Sequence, residues 1–177
     1  MRSHTGAPPL PSGAGFRIAL IVSRFNAQIT DLLRNAARAA LAESGTAASD
    51  VEEFAVPGAF ELPQGARCAA ETGRFDAIVC LGCVIRGETA HFEYVASSTA
   101  HGVMAAAADT GVPMAFGVLT TDTEEQARVR AADDGGNKGR EAVAAALEMA
   151  ALFRRLGRPP ARVSGRPFGF AAGGGDA

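Results

Sequence analysis

The sequence predicts a three-layer α/β/α sandwich around a four-stranded, all-parallel central sheet. Short apolar runs alternate four times with segments of helical periodicity, the βα repeat of a sheet covered on both sides. The first run, Phe16 to Val22, is almost continuously apolar and not alternating, as in a strand buried on both faces. Right-handed crossovers would put helices on both sides of the sheet. Ligands of such sheets bind beyond the carboxyl ends of the strands, which directs attention to the loops after Val22, Val56, Ile85 and Leu119.

The elements follow in order. After the first strand, Asn26 to Glu43 carries Leu32, Leu33, Ala36, Ala37, Ala40 and Leu41 at helical spacing, and Gly45 ends it. A second strand, Val51 to Val56, stops at Pro57-Gly58. A helix opens near Leu62-Pro63, where proline is tolerated in the first turn, and ends before Gly73. Ala77 to Ile85 is the third strand. Thr89 to Ala108 is a helix whose apolar stripe is Phe92, Val95, Ala96, Thr99, Val103, Met104 and Ala107. Pro113 to Leu119 is the fourth strand. Thr121-Asp122-Thr123-Glu124 has the form of a capping box and opens a short helix, and a Gly135-Gly136 break precedes the last helix, Asn137 to Leu156. One domain, 16–156, is therefore expected, between a flexible, Gly/Pro/Ser-rich tail at 1–15 and a Pro/Gly-rich tail at 157–177.

Composition narrows the function classes. A net charge of −2 gives no electrostatic reason to expect nucleic acid or an anionic membrane as partner. No apolar run reaches the roughly 18 residues of a membrane span, and the N-terminus has no signal-like apolar region, so a cytoplasmic protein is expected. Cys80 and Cys83 match C-x-x-C but lie on a strand, where residues three apart face opposite ways. Two buried cysteines are expected there, not a metal pair or a disulfide. Neither G-x-G-x-x-G after the first strand nor G-x-x-x-x-G-K-[ST] occurs, which argues against a dehydrogenase or an NTPase. No His and Cys spacing suggests zinc.

The strand-end loops hold the chemistry. The first, Ser23-Arg24-Phe25-Asn26, offers an aromatic for stacking a flat heterocycle, although capping the core is the commoner role for such a residue taken alone. In the second, Pro57-Gly58-Ala59-Phe60-Glu61-Leu62-Pro63, Glu61 is either a helix-terminus carboxylate or an acceptor for ring N–H groups and sugar hydroxyls. The third runs from Ile85-Arg86-Gly87-Glu88-Thr89-Ala90-His91 into the helix. Free amides of Glu88 and Thr89 at a helix N-terminus suit a phosphate, and His91 in the same turn has an intrinsic pKa suited to general acid–base work. Beyond the fourth strand, Arg128 or Arg130 could clamp a phosphate bidentately, and sequence pattern alone does not choose between them.

Taken together, Ser23-Arg24-Phe25-Asn26, Pro57 to Pro63, Ile85 to Val95, Phe116 to Ala127 and Asn137-Lys138-Gly139-Arg140-Glu141-Ala142 resemble the lumazine synthases over about residues 16 to 156. The resemblance implies a flavodoxin-like fold and the condensation of 5-amino-6-(D-ribitylamino)uracil with 3,4-dihydroxy-2-butanone 4-phosphate, a step of riboflavin biosynthesis that needs no metal or organic cofactor. By the family pattern Phe25 stacks on the pyrimidine, while Ala59, Phe60, Glu61 and the strand end Cys83-Val84-Ile85 hold its ring and ribityl chain. Glu88 and Thr89 supply phosphate-binding amides and His91 is the proton donor. Phe116 and Arg130 arrive from a neighbouring subunit, which decides between the two arginines. A non-catalytic carrier would need the aromatic platform but not His91 and Arg130 together, and a purely structural shell would need neither. The resemblance further implies a homo-oligomer of pentamers, which in some members close twelve at a time into a cage. The short turn from Ala132 to Gly139 favours the cage, whereas the Pro-rich N-terminus is ill suited to adding a strand to a neighbour.

Overall fold

The computed structural model describes residues 9–157. The remaining parts of both expected tails, 1–8 and 158–177, lie outside the described residues. The chain runs β1 (Ile18–Ser23), α1 (Ala27–Glu43), β2 (Val51–Val56), α2 (Leu62–Glu71), β3 (Ala77–Ile85), α3 (His91–Thr110), β4 (Met114–Thr121), α4 (Glu124–Arg130) and α5 (Lys138–Arg155), with single 3-10 turns before β2 and before α2. The four strands form one all-parallel sheet in the order β2-β1-β3-β4.

Side chains alternate across the two central strands. Ile18, Leu20 and Val22 of β1 and Val79, Leu81 and Cys83 of β3 enter one core under α1, α4 and α5. Ala19 and Ile21 of β1 and Ile78 and Cys80 of β3 enter the other, under α2 and α3. Cys80 and Cys83 are therefore buried on opposite faces, as their spacing predicts. Burying each Leu or Ile contributes roughly 1.5–3 kcal/mol relative to exposure, so the central strands anchor everything mounted on their ends.

Several boundaries differ from those read in the sequence, and α3 runs His91–Thr110 where the spacing predicts Thr89 to Ala108. β1 starts at Ile18 because the Arg17 amide is taken by the Asp76 carboxylate, at 2.8 Å, which interrupts the ladder. β4 runs on to Thr121 because β3 pairs with it through Ile85 opposite Thr121. With Thr121 held in the sheet, the cap of α4 moves to Thr123, whose hydroxyl accepts from the Gln126 amide at 3.2 Å. The stripe of α3 also divides differently: Thr99, Val103 and Ala106 are buried, whereas Met104 is 65% exposed. Residues 9–16 are fastened to the α1–α5 side. Leu10 packs on the core, and the Gly13 amide donates to Ser44 O at 2.8 Å. A Cβ on Gly13 would come within 2.4 Å of the Ser44 hydroxyl, so only glycine fits that approach.

Candidate active site

The carboxyl ends of β1 and β3 and the loops beyond β1, β2 and β3 enclose an open cleft of about 640 Å3, within the range of small-molecule sites. The loop after β1 is sewn to the loop after β2 by Arg24 N to Val56 O, at 2.9 Å, and Phe25 N to Pro57 O, at 3.1 Å. Asn26 takes the left-handed conformation, φ 58°, which Asn tolerates better than most residues. From there its amide nitrogen donates to Cys83 O at 3.0 Å, tying the loop to the end of β3. Phe25 is left 69% exposed at the cleft, and no other ring or guanidinium among the described residues stacks on it. Across from it, Ala59, Phe60 and Glu61 form the 3-10 turn before α2, which Thr99 of α3 supports through a hydrogen bond to Ala59 O at 3.1 Å. The Glu61 carboxylate lies beside Gly58, where a Cβ would stand 3.1 Å from Oε2, and it forms no ion pair or hydrogen bond among the described residues.

The third wall is the start of α3. His91 is its first residue, exposed and lining the cleft with Thr89, and its amide is met by Thr89 Oγ1 at 3.4 Å. The helix begins at His91 with Ala90 as its N-cap, so Glu88 and Thr89 precede α3 and are not, as the sequence suggests, its first-turn amides; neither amide has a backbone partner among the described residues. The Glu88 side chain is exposed and outside the cleft wall.

Of the residues expected at the site, Phe25, Ala59, Phe60, Glu61, Cys83, Val84, Ile85, Thr89 and His91 line this one cleft. Glu88 does not line it, and neither do Phe116 and Arg130. The last two share a shallower groove of about 370 Å3 beside β4 and α5, together with Lys138 and Glu141. Arg128 is engaged by Glu124 at 2.6 Å, whereas Arg130 spends only one nitrogen, on Gln126 O at 2.9 Å, and lines the groove.

Comparison with known proteins fits this arrangement. The family model for 6,7-dimethyl-8-ribityllumazine synthase matches residues 15–154. The chain belongs to this family. It is similar to the 6,7-dimethyl-8-ribityllumazine synthase of Syntrophus aciditrophicus, 50% identical over 142 residues, which cover 80% of this chain and 92% of the relative. It is similar also to that of Anaeromyxobacter dehalogenans, 49% identical over 150 residues, covering 85% and 93%. The 6,7-dimethyl-8-ribityllumazine synthase 1 of Caulobacter vibrioides is 49% identical over 140 residues, covering 79% and 92%.

Within this synthase framework, several residues line the cleft that no sequence signal singles out as ligand-facing: Asn26, Gly58, Gly87, Phe92, Tyr94 and Val95. Phe92 and Val95 read as core stripe, and nothing in the sequence marks Asn26 as left-handed. Burial pushes the Cys83 thiol up to about 11, helped by the negative charge of Glu124, and burial pushes Cys80 up to about 12. Neither is a thiolate near neutrality. Among the described residues no cluster of His, Cys, Asp or Glu could hold a metal ion, and no helix is long and apolar enough to cross a membrane.

Proposed function

We propose that the chain condenses 5-amino-6-(D-ribitylamino)uracil with 3,4-dihydroxy-2-butanone 4-phosphate to 6,7-dimethyl-8-ribityllumazine, releasing phosphate and water, in a site that two copies of the chain build together. The family match supplies the reaction. The observation that carries the shared site is the separation on one chain of the His91 cleft from the Arg130 groove.

In this reading the pyrimidine lies on Phe25, with its polar edge toward Glu61 and the backbone of Cys83–Ile85. The butanone phosphate places its phosphate on the Glu88 and Thr89 amides. An amine of the pyrimidine attacks the ketone and the adduct loses one water to an imine. Phosphate is then eliminated, and attack of the second amine on the carbonyl that results closes the ring with loss of a second water. His91 stands where it can give and take the protons of these steps. Arg130 and Phe116 of a neighbouring copy close the site, the guanidinium meeting the phosphate. A ring with such a site is a heterologous assembly, one patch meeting a different patch on the next copy. The exposed Tyr94 and Met104 on α3, and Phe116 and Val129 on the other side, supply apolar area for such contacts. A pentamer, alone or as the unit of a cage, is the assembly proposed. The cytoplasm is the proposed compartment, since a reducing environment keeps three unpaired cysteines as thiols.

Two measurements test this. The purified chain, given both substrates, should develop lumazine fluorescence, and a dark mixture would refute the reaction. His91→Ala and Arg130→Ala chains, unfolded and reassembled together, should regain activity above either alone, because some interfaces pair both intact halves. Co-assembled rings as inactive as their parents would refute the shared site.

A further inference from the structure

One guanidinium outside the cleft wall touches both elements that carry the charged site residues. Arg86 follows β3 directly, and its amide donates to Thr121 O at 2.8 Å. Its Nε donates to Asp122 Oδ1 at 2.7 Å and its Nη1 donates to Glu93 Oε1. Its planar head lies over the Phe92 ring, 4.3 Å from the centroid. Phe92 and Glu93 sit in the first turn of α3 beside His91, and Phe92 is part of the cleft wall. Asp122 opens the turn into α4, where its amide is held by Gln126 Oε1 at 3.0 Å. The hydrogen bond from Arg86 holds the Glu93 carboxyl below its usual range, and the bonds to Asp122 and Glu93 raise Arg86, so the Arg86–Glu93 pair remains ionised at neutral pH.

The start of α3 has little else to fix it. Its N-cap is Ala90, which has no side-chain acceptor, and among the described residues the His91 amide is met only by the 3.4 Å contact from Thr89. Fixing a turn by bonding Glu93, stacking on Phe92 and anchoring to Asp122 at once requires a flat fork with several donors. Lysine, a point charge on a flexible stem, can meet one carboxylate and cannot stack in the same way.

We infer that Arg86 is a positioning residue for His91, clamping the first turn of α3 to the β4–α4 turn so that the imidazole is held where the cleft needs it. This rests on the proposed role of His91 in moving protons in the cleft. The reacting groups must be held tightly, since a misplacement of about 1 Å can cost up to about 100-fold in rate. The pyrimidine platform of Phe25 and the β3 end is fastened separately, through Asn26, Val56 and Pro57, and does not depend on Arg86.

The test is steady-state kinetics of Arg86→Lys with both substrates, beside His91→Ala and thermal unfolding. Arg86→Lys should lower kcat about 10-fold while KM for the pyrimidine stays within about 2-fold and the midpoint of unfolding barely moves, because exposed ion pairs contribute little to stability. Glu93→Gln should lower kcat in the same direction, and the double variant should be no worse than Arg86→Lys alone, because both act through one contact. Should Arg86→Lys fail to assemble, Asp122→Asn releases the other arm and should give the same split. A wild-type kcat in Arg86→Lys with His91→Ala slow overturns the clamp and leaves the proposed reaction standing. A fall in kcat and rise in KM together with a lower midpoint would make Arg86 merely structural, which also overturns it. His91→Ala at the wild-type rate would remove the reading on which the clamp depends.

Discussion

The cleft beyond β1 and β3 and the groove beside β4 and α5 differ in what they contain. The cleft is roomy, walled by Phe25, Phe60, Phe92 and Tyr94, and holds His91 and Glu61, but among the described residues no arginine or lysine lines it. Among the described residues the groove, about 370 Å3, has Phe116 as its one aromatic residue, Arg130, Lys138 and Glu141 as its charges, and no histidine. A reaction that both moves protons and expels phosphate needs a proton-transfer group and cations at one place. Each hollow has half of that set, which supports the proposal that two copies of the chain build the site together.

The widest difference between the two halves should appear in turnover. His91→Ala should lower kcat by about 10²–10⁴-fold without abolishing it, since general acid–base help is lost and substrate positioning remains. Stopped-flow or steady-state fluorescence of the lumazine product measures this. Wild-type kinetics would mean that the cleft needs no proton-transfer group and would break the comparison at its stronger end.

The groove should show itself in binding. Arg130→Ala removes a charge-assisted contact with a typical contribution of about 1.5–3 kcal/mol, or about 10- to 150-fold in affinity. That loss should fall on the butanone phosphate and leave pyrimidine affinity close to wild type. Calorimetric titration with each substrate separately decides the matter. An equal loss for both would make Arg130 a structural residue and leave the groove without a ligand role.

A third variant sharpens the boundary between the two halves. Gly139 lies where α5 crosses α1, and a Cβ there would meet the Leu33 carbonyl oxygen at 2.2 Å, a backbone atom that cannot step aside. Gly139→Ala should destabilise the fold by about 1–3 kcal/mol, measured by urea unfolding. Because α5 walls the groove and not the cleft, KM for the butanone phosphate should rise while pyrimidine affinity holds. Unchanged stability would show that the two helices have slack at this crossing.

The same division runs through what can be read in the sequence. The central strands β1 and β3 are legible because both of their faces are buried, which demands near-continuous apolar runs of strand length. The loops after β1, β2 and β3 stand out through glycine, proline and reactive residue types, and the structure brings their residues to one cleft. The start of α3 is harder. Its sequence, rich in alanine, has no sharply polar face, so Phe92, Val95 and Met104 all read as core, although Phe92 and Val95 line the cleft and Met104 faces outward. Arg86 is visible as a motif residue, but its contact with Asp122 joins positions 36 apart, a fact of the tertiary fold alone. The cap of α4 lies at Thr123 and not Thr121 for a similar reason, since sheet pairing claims Thr121 first.

The smallest effect is expected at Cys83, a lining residue of the cleft that contributes through its backbone. Its carbonyl accepts from Asn26 at 3.0 Å, whereas its side chain points into the core under α1 and α5. The thiol is pushed up to about 11 because burial penalises the charged form, with the Glu124 carboxylate adding to the penalty. A folded pKa above the ordinary thiol value means that folding favours the protonated form. That contribution is complete below the ordinary value and is lost as pH rises toward about 11. At neutral pH Cys83 is therefore neither a nucleophile nor a base, and no step in the pH–rate profile below about 11 should belong to it. Cys83→Ala, which keeps the carbonyl and removes only the sulfur, should leave kcat and both KM values within about 3-fold of wild type. Exposed Cys68 should react with a thiol reagent in the folded protein well before Cys80 and Cys83, and all three should react once urea unfolds it. Loss of turnover in Cys83→Ala with Asn26 still in place would mean that the sulfur itself meets the substrate, and the cleft would then carry two reactive side chains where this comparison gives it one.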